Sequence, residues 1–484
     1  MTNKGITSVG AYVPRRRLLR SAIAAAHSWA KPGLKGLGKG SRAICSHDED
    51  VITMAVSAAQ ACISGHDSCS TDRLLLASTS FPFADRQNST VVGEALNLTE
   101  SLQTADIGGS QRAATSALLL GLQHDGKQCL VIGAEKCLAK PGSADEFSVG
   151  DAAAAVTLGT DDQIARFIGS QSISRDMVDH YRATRSEYNY ALEERWIRDE
   201  GLLQIIPETI AALLSDLKLS PDQIDHLLIA GVDSRPAAQI ANRCGIDPLA
   251  LHGGLKASIG HAGSADALLL LVDTLQIAEP GQHILVASFG QGCDALLFQA
   301  TDTVRRAREK SGVAAAIDAG IEDSNYLRHL SFSGLVDIDW GMRAERDNRT
   351  SQSAFYRQRR AITGFIGGLC EDCGVAQYPK TALCVNPNCG KQDTQIDDVF
   401  ANKVGRVKSF TEDWLALSLN PPLMYGSVRF EKKSTLMMEF TDFDPGQLAI
   451  GIDLQMVFRI KDFDPLRGYH RYFWKAAPAT RPSN

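Results

Sequence analysis

Ala105 to Gln123 reads ADIGGSQRAATSALLLGLQ, and the way this stretch folds decides the architecture. A short strand ends at Ile107, Gly108 and Gly109 turn the chain, and an almost wholly apolar helix is expected over 109–123. Ala113, Ala114, Thr115, Ser116 and Ala117 fill its first turns, and Leu118, Leu119, Leu120 and Leu122 fill the rest. A helix apolar on every side leaves no face for water and is expected to be buried. Its unpaired N–H groups then open into the interior, where they and the helix dipole favour developing negative charge. Gln111 stands at that entrance, and Ser110 before it is the candidate N-cap.

The stretch has an echo. Ala257 to Asp273, ASIGHAGSADALLLLVD, again gives a strand, a glycine turn, small residues and a leucine run. TDRLLLAS at 71–78 matches IDHLLIAG at 224–231, and QCLVIGA at 128–134 matches QHILVAS at 282–288. Three pairs in one order, about 150 residues apart, point to a duplicated domain. Strands alternating with helices around them imply parallel βαβ units and an α/β body.

The chain has 484 residues, enough for two to four domains, and an ordinary globular composition of 44% hydrophobic and 22% charged residues. A net charge of −6 gives no reason to expect nucleic acid as a partner. No apolar run reaches the roughly 18 residues of a membrane span, and the N-terminus lacks the order of a signal peptide. A cytoplasmic protein without a membrane partner is expected, its cysteines serving as thiols and metal ligands.

Several local expectations follow. Ile6 to Val13 reads as a strand, ended by Pro14 and an arginine run, 15–17, read as a solvated loop. SHDEDVITMAV opens a helix with Ser46 as candidate N-cap. Residues 175–206 are charged, aromatic and helical in character, and are either a surface cap or a lid bringing Tyr181, Arg182 and Tyr188 to substrate. The late run CEDCGVAQYPKTALCVNPNCG places Cys370, Cys373, Cys384 and Cys389 in two pairs, the pattern of a closed, structural four-cysteine zinc site. Short β-prone runs over 404–460 suggest a small barrel, against which the aromatic tail YHRYFWKA packs.

With GAYVPRRR, SHDEDVITMAV, RAATSAL, GDAAAAVTLG and ILVASFGQG, the body resembles the thiolase superfamily, most closely its hydroxymethylglutaryl-CoA synthase group. The tail resembles the small zinc-ribbon and OB-fold proteins that accompany such enzymes. The resemblance implies a five-layer αβαβα body with thiolase-like halves at 1–165 and 166–300, the lid inserted at about 175–206. A helical linker at 301–350, a zinc ribbon at 351–400 and an OB fold at 401–475 would follow. It also implies a coenzyme A thioester as substrate, structural zinc, and a homodimer or a heteromer with a thiolase-family partner.

The synthase residues are missing. The acyl-carrying cysteine of the family falls at Gln111, its glutamate near Thr79 where the sequence has no carboxylate, and its histidine near Ala230. What remains is LKASIGHAGSADALL, similar to the Lys-Ser and Gly-His stretch of ketosynthases, with Lys256 and His261 in place. His261 stands at the second helix entrance, from which it could meet Gln111 across one pocket. Glutamine also replaces the cysteine in decarboxylating ketosynthases. The reaction expected is therefore the making or breaking of a C–C bond on an acyl-CoA without self-acylation. His261 and Gln111 would be catalytic, a lid tyrosine could carry the proton, and Ser110, Arg112, Lys256, Tyr181 and Arg182 would contact substrate. Two alternatives remain: a non-catalytic acyl-CoA-binding partner of a competent thiolase, and a synthase-like acyltransferase using another cysteine such as Cys293 or Cys45.

Overall fold

The computed structural model describes residues 3–64, 70–310, 312–344, 349, 351–431 and 434–479. Residues 311, 345–348 and 350 of the expected linker lie outside the described set. The chain divides into two compact units, one of Met1–Ser46, Asp50–Gly93 and Leu98–His329, the other of His47–Glu49, Glu94–Asn97 and Leu330–Asn484.

The first unit is a mixed α/β body built on a nine-stranded sheet. From its centre, Gly5–Tyr12 pairs antiparallel with Ala152–Gly159, which pairs antiparallel with Gln128–Glu135. Thr71–Ala77 and Gln103–Ile107 then continue in parallel. On the other side, Ala165–Ser174 pairs antiparallel with Gly292–Ala300, then His283–Phe289 antiparallel and His226–Ala230 parallel. The same directions recur in the same order, and a parallel bridge from Leu227 to Leu251 stands where the fifth strand of the first half runs. The halves join at Gly5↔Arg166 and Ile6↔Ala165.

Helices Ala113–Leu122 and Asp266–Ile277 touch each other and strands of both halves. Val51–Ile63 packs on strands of the first half, and Leu203–Leu217 on strands of the second. The two inner helices thus contact strands of both halves, and each half carries a further, outer helix. Close packing of helix on strand favours small residues, and Ala152–Gly159, with four consecutive alanines, is buried along its whole length. Gly10 serves the same end: a Cβ there would lie 2.4 Å from the Cys62 nitrogen, inside the outer helix.

Four local expectations are corrected. The inner helix begins at Ala113 with Arg112 in the N-cap position, and Leu120 is 45% exposed, so burial holds for its first turns and not for its whole circumference. Val51–Ile63 is capped by Asp50, not Ser46: Asp50 accepts from the Thr53 N–H at 3.0 Å, and Thr53 Oγ1 accepts from the Asp50 N–H at 2.8 Å. Arg16 and Arg17 belong to a strand, Arg16–Leu19, rather than a solvated loop. Arg17 is buried, donating to the Ala316 carbonyl at 2.8 Å, and Arg16 pairs with Asp323. In the lid stretch, His180–Tyr181 and Tyr190–Ala191 form a small antiparallel ladder, and helical structure starts only at Glu194. Tyr181 and Tyr190 face each other with ring centroids 5.6 Å apart, the kind of cross-strand aromatic pair that favours a ladder.

In the second unit, Ile366–Cys370 lies between Ala376–Gln377 and Gln395–Val399 in an antiparallel sheet. A five-stranded antiparallel sheet follows, in the order Thr435–Glu439, Leu423–Phe430, Gly405–Asp413, Asp453–Asp464, Tyr469–Pro478. A parallel bridge from Phe440 to Ala476 links its two ends. The expected aromatic tail is thus the last strand itself, with Trp474 buried and its indole donating to the Thr363 carbonyl at 2.7 Å. The second unit also holds buried ion pairs: Asp48 pairs with Lys475 at 2.9 Å, and Arg459 with Glu49 at 3.2 Å.

Among the described residues no helix is long and apolar enough to cross a membrane.

Candidate active site

The first helix entrance is built by a turn at Gly108 and Gly109, the latter at φ +81°, which carries the chain from strand Gln103–Ile107 toward the helix. Ser110 donates its hydroxyl to the Gly290 carbonyl at 3.1 Å and accepts from the Arg112 N–H at 3.4 Å. Gly290 has no room for a side chain, since a Cβ would lie 2.4 Å from the Ser110 hydroxyl. Arg112 pairs with the buried Asp294 at 2.9 Å, and Thr115, Ser116 and Ser172 also donate to that carboxylate.

Gln111 meets a residue the sequence did not single out. Its carboxamide nitrogen lies 3.4 Å from Nε2 of His180, on the lid ladder. The other ring nitrogen of His180, Nδ1, lies 2.7 Å from Asp179, and the second oxygen of Asp179 accepts from the Gln291 side chain at 3.0 Å. The hydrogen bond to Asp179 raises the His180 pKa above its ordinary value against the opposing effect of burial. Arg182 donates to the Thr79 carbonyl, Tyr181 is 54% exposed, and Tyr188 is half-buried.

A second unanticipated group is Glu135, the last residue of a buried strand and 2% exposed. Its carboxylate accepts from the Thr79 N–H at 3.0 Å and the Thr79 hydroxyl at 3.1 Å. Ser264, just before the second inner helix, donates to it at 2.5 Å. A carboxylate from a neighbouring strand therefore lies against Thr79. Gly263 marks where the two entrances touch: a Cβ there would lie 2.7 Å from the Glu135 side chain and 3.1 Å from the Gln111 carboxamide oxygen.

The second entrance holds His261, placed by Gly260 at φ +92°, where a Cβ would strike the Val149 backbone at 2.5 Å. His261 Nε2 lies 3.1 Å from Asp233, and Nδ1 lies 3.9 Å from Asp266. Lys256 pairs with the same Asp233 at 2.5 Å. Burial lowers the His261 pKa, but the hydrogen bonds to Asp233 and Asp266 outweigh it and lift it to about 9. His261 is thus an imidazolium at neutral pH, held in an ion-pair cluster with Lys256. Gln111 and His261 share no hydrogen bond among the described residues.

Signals for the missed groups were weak. Asp179 and His180 are adjacent within VDHYR, beside residues already noted, and Glu135 ends an otherwise apolar run. Their convergence depends on lid placement and on which strands are neighbours.

In the second unit, Cys370, Cys373, Cys384 and Cys389 gather with all four sulfurs within 4.8 Å of one another. Cys370 and Cys389 are 3.9 Å apart, and Cys373 and Cys384 are 3.6 Å apart. A tetrahedral zinc with Zn–S of about 2.3 Å puts its sulfurs roughly 3.8 Å apart. The cluster fits such an ion.

No protein-family model matches the chain. The hydroxymethylglutaryl-CoA synthase of Aeropyrum pernix is 30% identical over 317 residues, covering 63% of this chain and 88% of that protein. The synthase of Methanopyrus kandleri is 29% identical over 341 residues, covering 68% and 96%. Among solved structures, PksG, a hydroxymethylglutaryl-CoA synthase from Bacillus subtilis, superposes with a TM-score of 0.59 at 15% identity, over 72% of this chain and 95% of that one. MvaS in complex with 3-hydroxy-3-methylglutaryl coenzyme A gives 0.57 at 17% identity, over 69% and 92%. The structural likeness shows the thiolase-like fold, and the sequence likeness the family: this chain belongs to the hydroxymethylglutaryl-CoA synthase family.

Proposed function

We propose that the protein makes or breaks a C–C bond on a coenzyme A thioester without forming an acyl-cysteine. The observation that carries this is Gln111 at the half-buried helix entrance, with an imidazole on its carboxamide and a buried carboxylate beside it. An amide cannot take an acyl group from CoA, but its N–H can hold a thioester or enolate oxygen, aided by the backbone N–H groups of the helix end. His261 and Lys256 bring positive charge from the second entrance. For His261 to donate to substrate directly, Asp233 must release it. Ser110, Arg112, Tyr181 and Arg182 frame the first entrance, with Arg112 acting through Asp294.

Transfer through another cysteine is supported less well. Burial pushes the Cys293 thiol up to about 12, and a buried neutral thiol is a poor nucleophile. Cys45 is buried with its sulfur 3.7 Å from that of Met54.

We assign the cysteine cluster to a structural zinc ion and the five-stranded sheet with its closing bridge to an OB fold. The domain division then keeps the proposed form, two thiolase-like halves, a linker, a zinc ribbon and a barrel, in a homodimer or a heteromer with a thiolase-family partner.

The test is to incubate the full chain with acetyl-CoA, acetoacetyl-CoA, malonyl-CoA and 3-hydroxy-3-methylglutaryl-CoA, following products and intact protein mass together. Turnover of a CoA ester with no mass gain is expected. A covalent acyl adduct overturns the acyl-free chemistry, and binding without turnover of any ester leaves a non-catalytic acyl-CoA-binding protein instead.

A further inference from the structure

We propose that His180, aligned by Asp179 and Gln291, is the base that takes the α-proton from the acyl group of the bound thioester and later returns it. This rests on the acyl-CoA chemistry proposed above and names the group that moves the proton.

The geometry has the parts such a base needs. With Nδ1–H donating to Asp179 at 2.7 Å, the neutral ring has its lone pair on Nε2, aimed at the first helix entrance. Fixing the tautomer through the far nitrogen is how a carboxylate prepares an imidazole for proton transfer. Asp179 is fixed in turn by Gln291. Gln291 sits at φ +48° in the Gly290–Gly292 turn, a backbone region that non-glycine residues adopt at a cost. From there its side-chain amide reaches Asp179. Tyr181, one of the lid tyrosines that could carry the proton, points its ring at Tyr190 instead. His261 is unsuited to the role because both its ring nitrogens face carboxylates, Nε2 at 3.1 Å from Asp233 and Nδ1 at 3.9 Å from Asp266.

Gln111 completes the device. Without substrate its carboxamide N–H covers the Nε2 lone pair at 3.4 Å. An acyl group entering between them leaves Nε2 facing the α-carbon and the amide facing the thioester oxygen. The α C–H bond then breaks, its proton goes to Nε2, and its electron pair moves through the forming C=C bond to the oxygen as an enolate. Return of the proton from Nε2 to the α-carbon closes the exchange; with a second carbonyl substrate, the enolate carbon attacks its carbonyl carbon and the alkoxide formed takes the proton from Nε2. No oxidant is needed.

The experiment is washing of deuterium from D2O into the α-position of acetyl-CoA and 3-hydroxy-3-methylglutaryl-CoA, read by mass spectrometry beside equilibrium binding of the same esters. Wild type should exchange. His180→Ala should lose at least about 100-fold of the exchange rate, the usual worth of a general base, while binding changes less than about threefold. Added imidazole should restore part of the rate, an effect that loss of a merely structural side chain would not give. Asp179→Asn should bind normally and exchange slowly without imidazole rescue. Wild-type exchange in His180→Ala overturns the inference alone. Binding without exchange in wild type also overturns it and leaves ester binding standing. Neither binding nor exchange in wild type overturns the acyl-CoA chemistry itself.

Discussion

Single residues at the two entrances differ in what holds them, and that decides what each can do. His261 is gripped by Asp233 and faces Asp266, so its charge is part of the folded state as well as of any chemistry. A folded-state pKa raised to about 9 from 6.5 gives stability that is full below about pH 6.5 and is lost as pH rises through 9. The ceiling is on the order of 3 kcal/mol. Wild type should therefore melt well above His261→Asn at pH 6, with the gap shrinking by pH 9.5, as followed by calorimetry. A gap that does not change with pH removes the ion-pair account. His261 was legible because the glycine-flanked repeat placed it at a helix entrance. His180 was not, because nothing in VDHYR says which way a ladder residue of the lid will face. Glu135 was missed for a related reason: proximity to Thr79 comes from strand pairing between Gln128–Glu135 and Thr71–Ala77.

At the scale of elements, composition fixed the inner helix and the buried strands, and spacing fixed the cysteine lobe. Ala113–Leu122 could be read from its small and leucine residues alone, although Leu120 shows that such a helix can keep one residue in water. The lid resisted reading because two-residue strands gain nothing from local propensity. Their ladder depends on the Tyr181–Tyr190 contact and on the Leu192 N–H reaching the Asp179 carbonyl at 2.9 Å. The cysteine lobe has short strands and little apolar core, so a bound ion would supply much of its folding free energy, on the order of 10 kcal/mol. Metal analysis of the purified chain should give about one zinc per protein, and a strong chelator or the pair Cys370→Ser, Cys373→Ser should unfold this lobe first in hydrogen exchange. A folded, protected lobe free of metal would sink the zinc assignment.

Across the whole molecule, both units join an apolar core to buried charge. The first is held by two inner helices and half-sheets packed through alanine, valine and leucine. The second encloses charge: Arg459 is fully buried between Glu49 and Asp442, and Asp48 accepts from Lys475 and Thr441. Burial opposes ionisation of Asp48, but Lys475, His47 and Arg459 hold its carboxyl well below the usual range. A depressed carboxyl pKa contributes stability above the unfolded value and loses it as pH falls, so this unit should lose stability in acid as Asp48 takes up a proton. Asp48→Ala leaves Lys475 buried without its partner at 2.9 Å and should cost about 3–5 kcal/mol. Two-step thermal unfolding, with the transition of the second unit lowered and the first unmoved, would show it. An unchanged second transition would mean that Lys475 finds another partner, Glu439 at 3.5 Å being the nearest at hand.

The sequence by itself determined the duplicated α/β body, the two helix entrances with Gln111 and His261, and the four-cysteine cluster. All three follow from composition, local spacing or self-similarity, which act over short stretches of chain or repeat along it. Only the tertiary structure decided what surrounds Gln111. His180 reaches it from 69 positions away, and Gln291 reaches Asp179 from 112 away. Contacts at such separations are set by strand order and by the lid ladder, and residue pattern along the chain carries no trace of them.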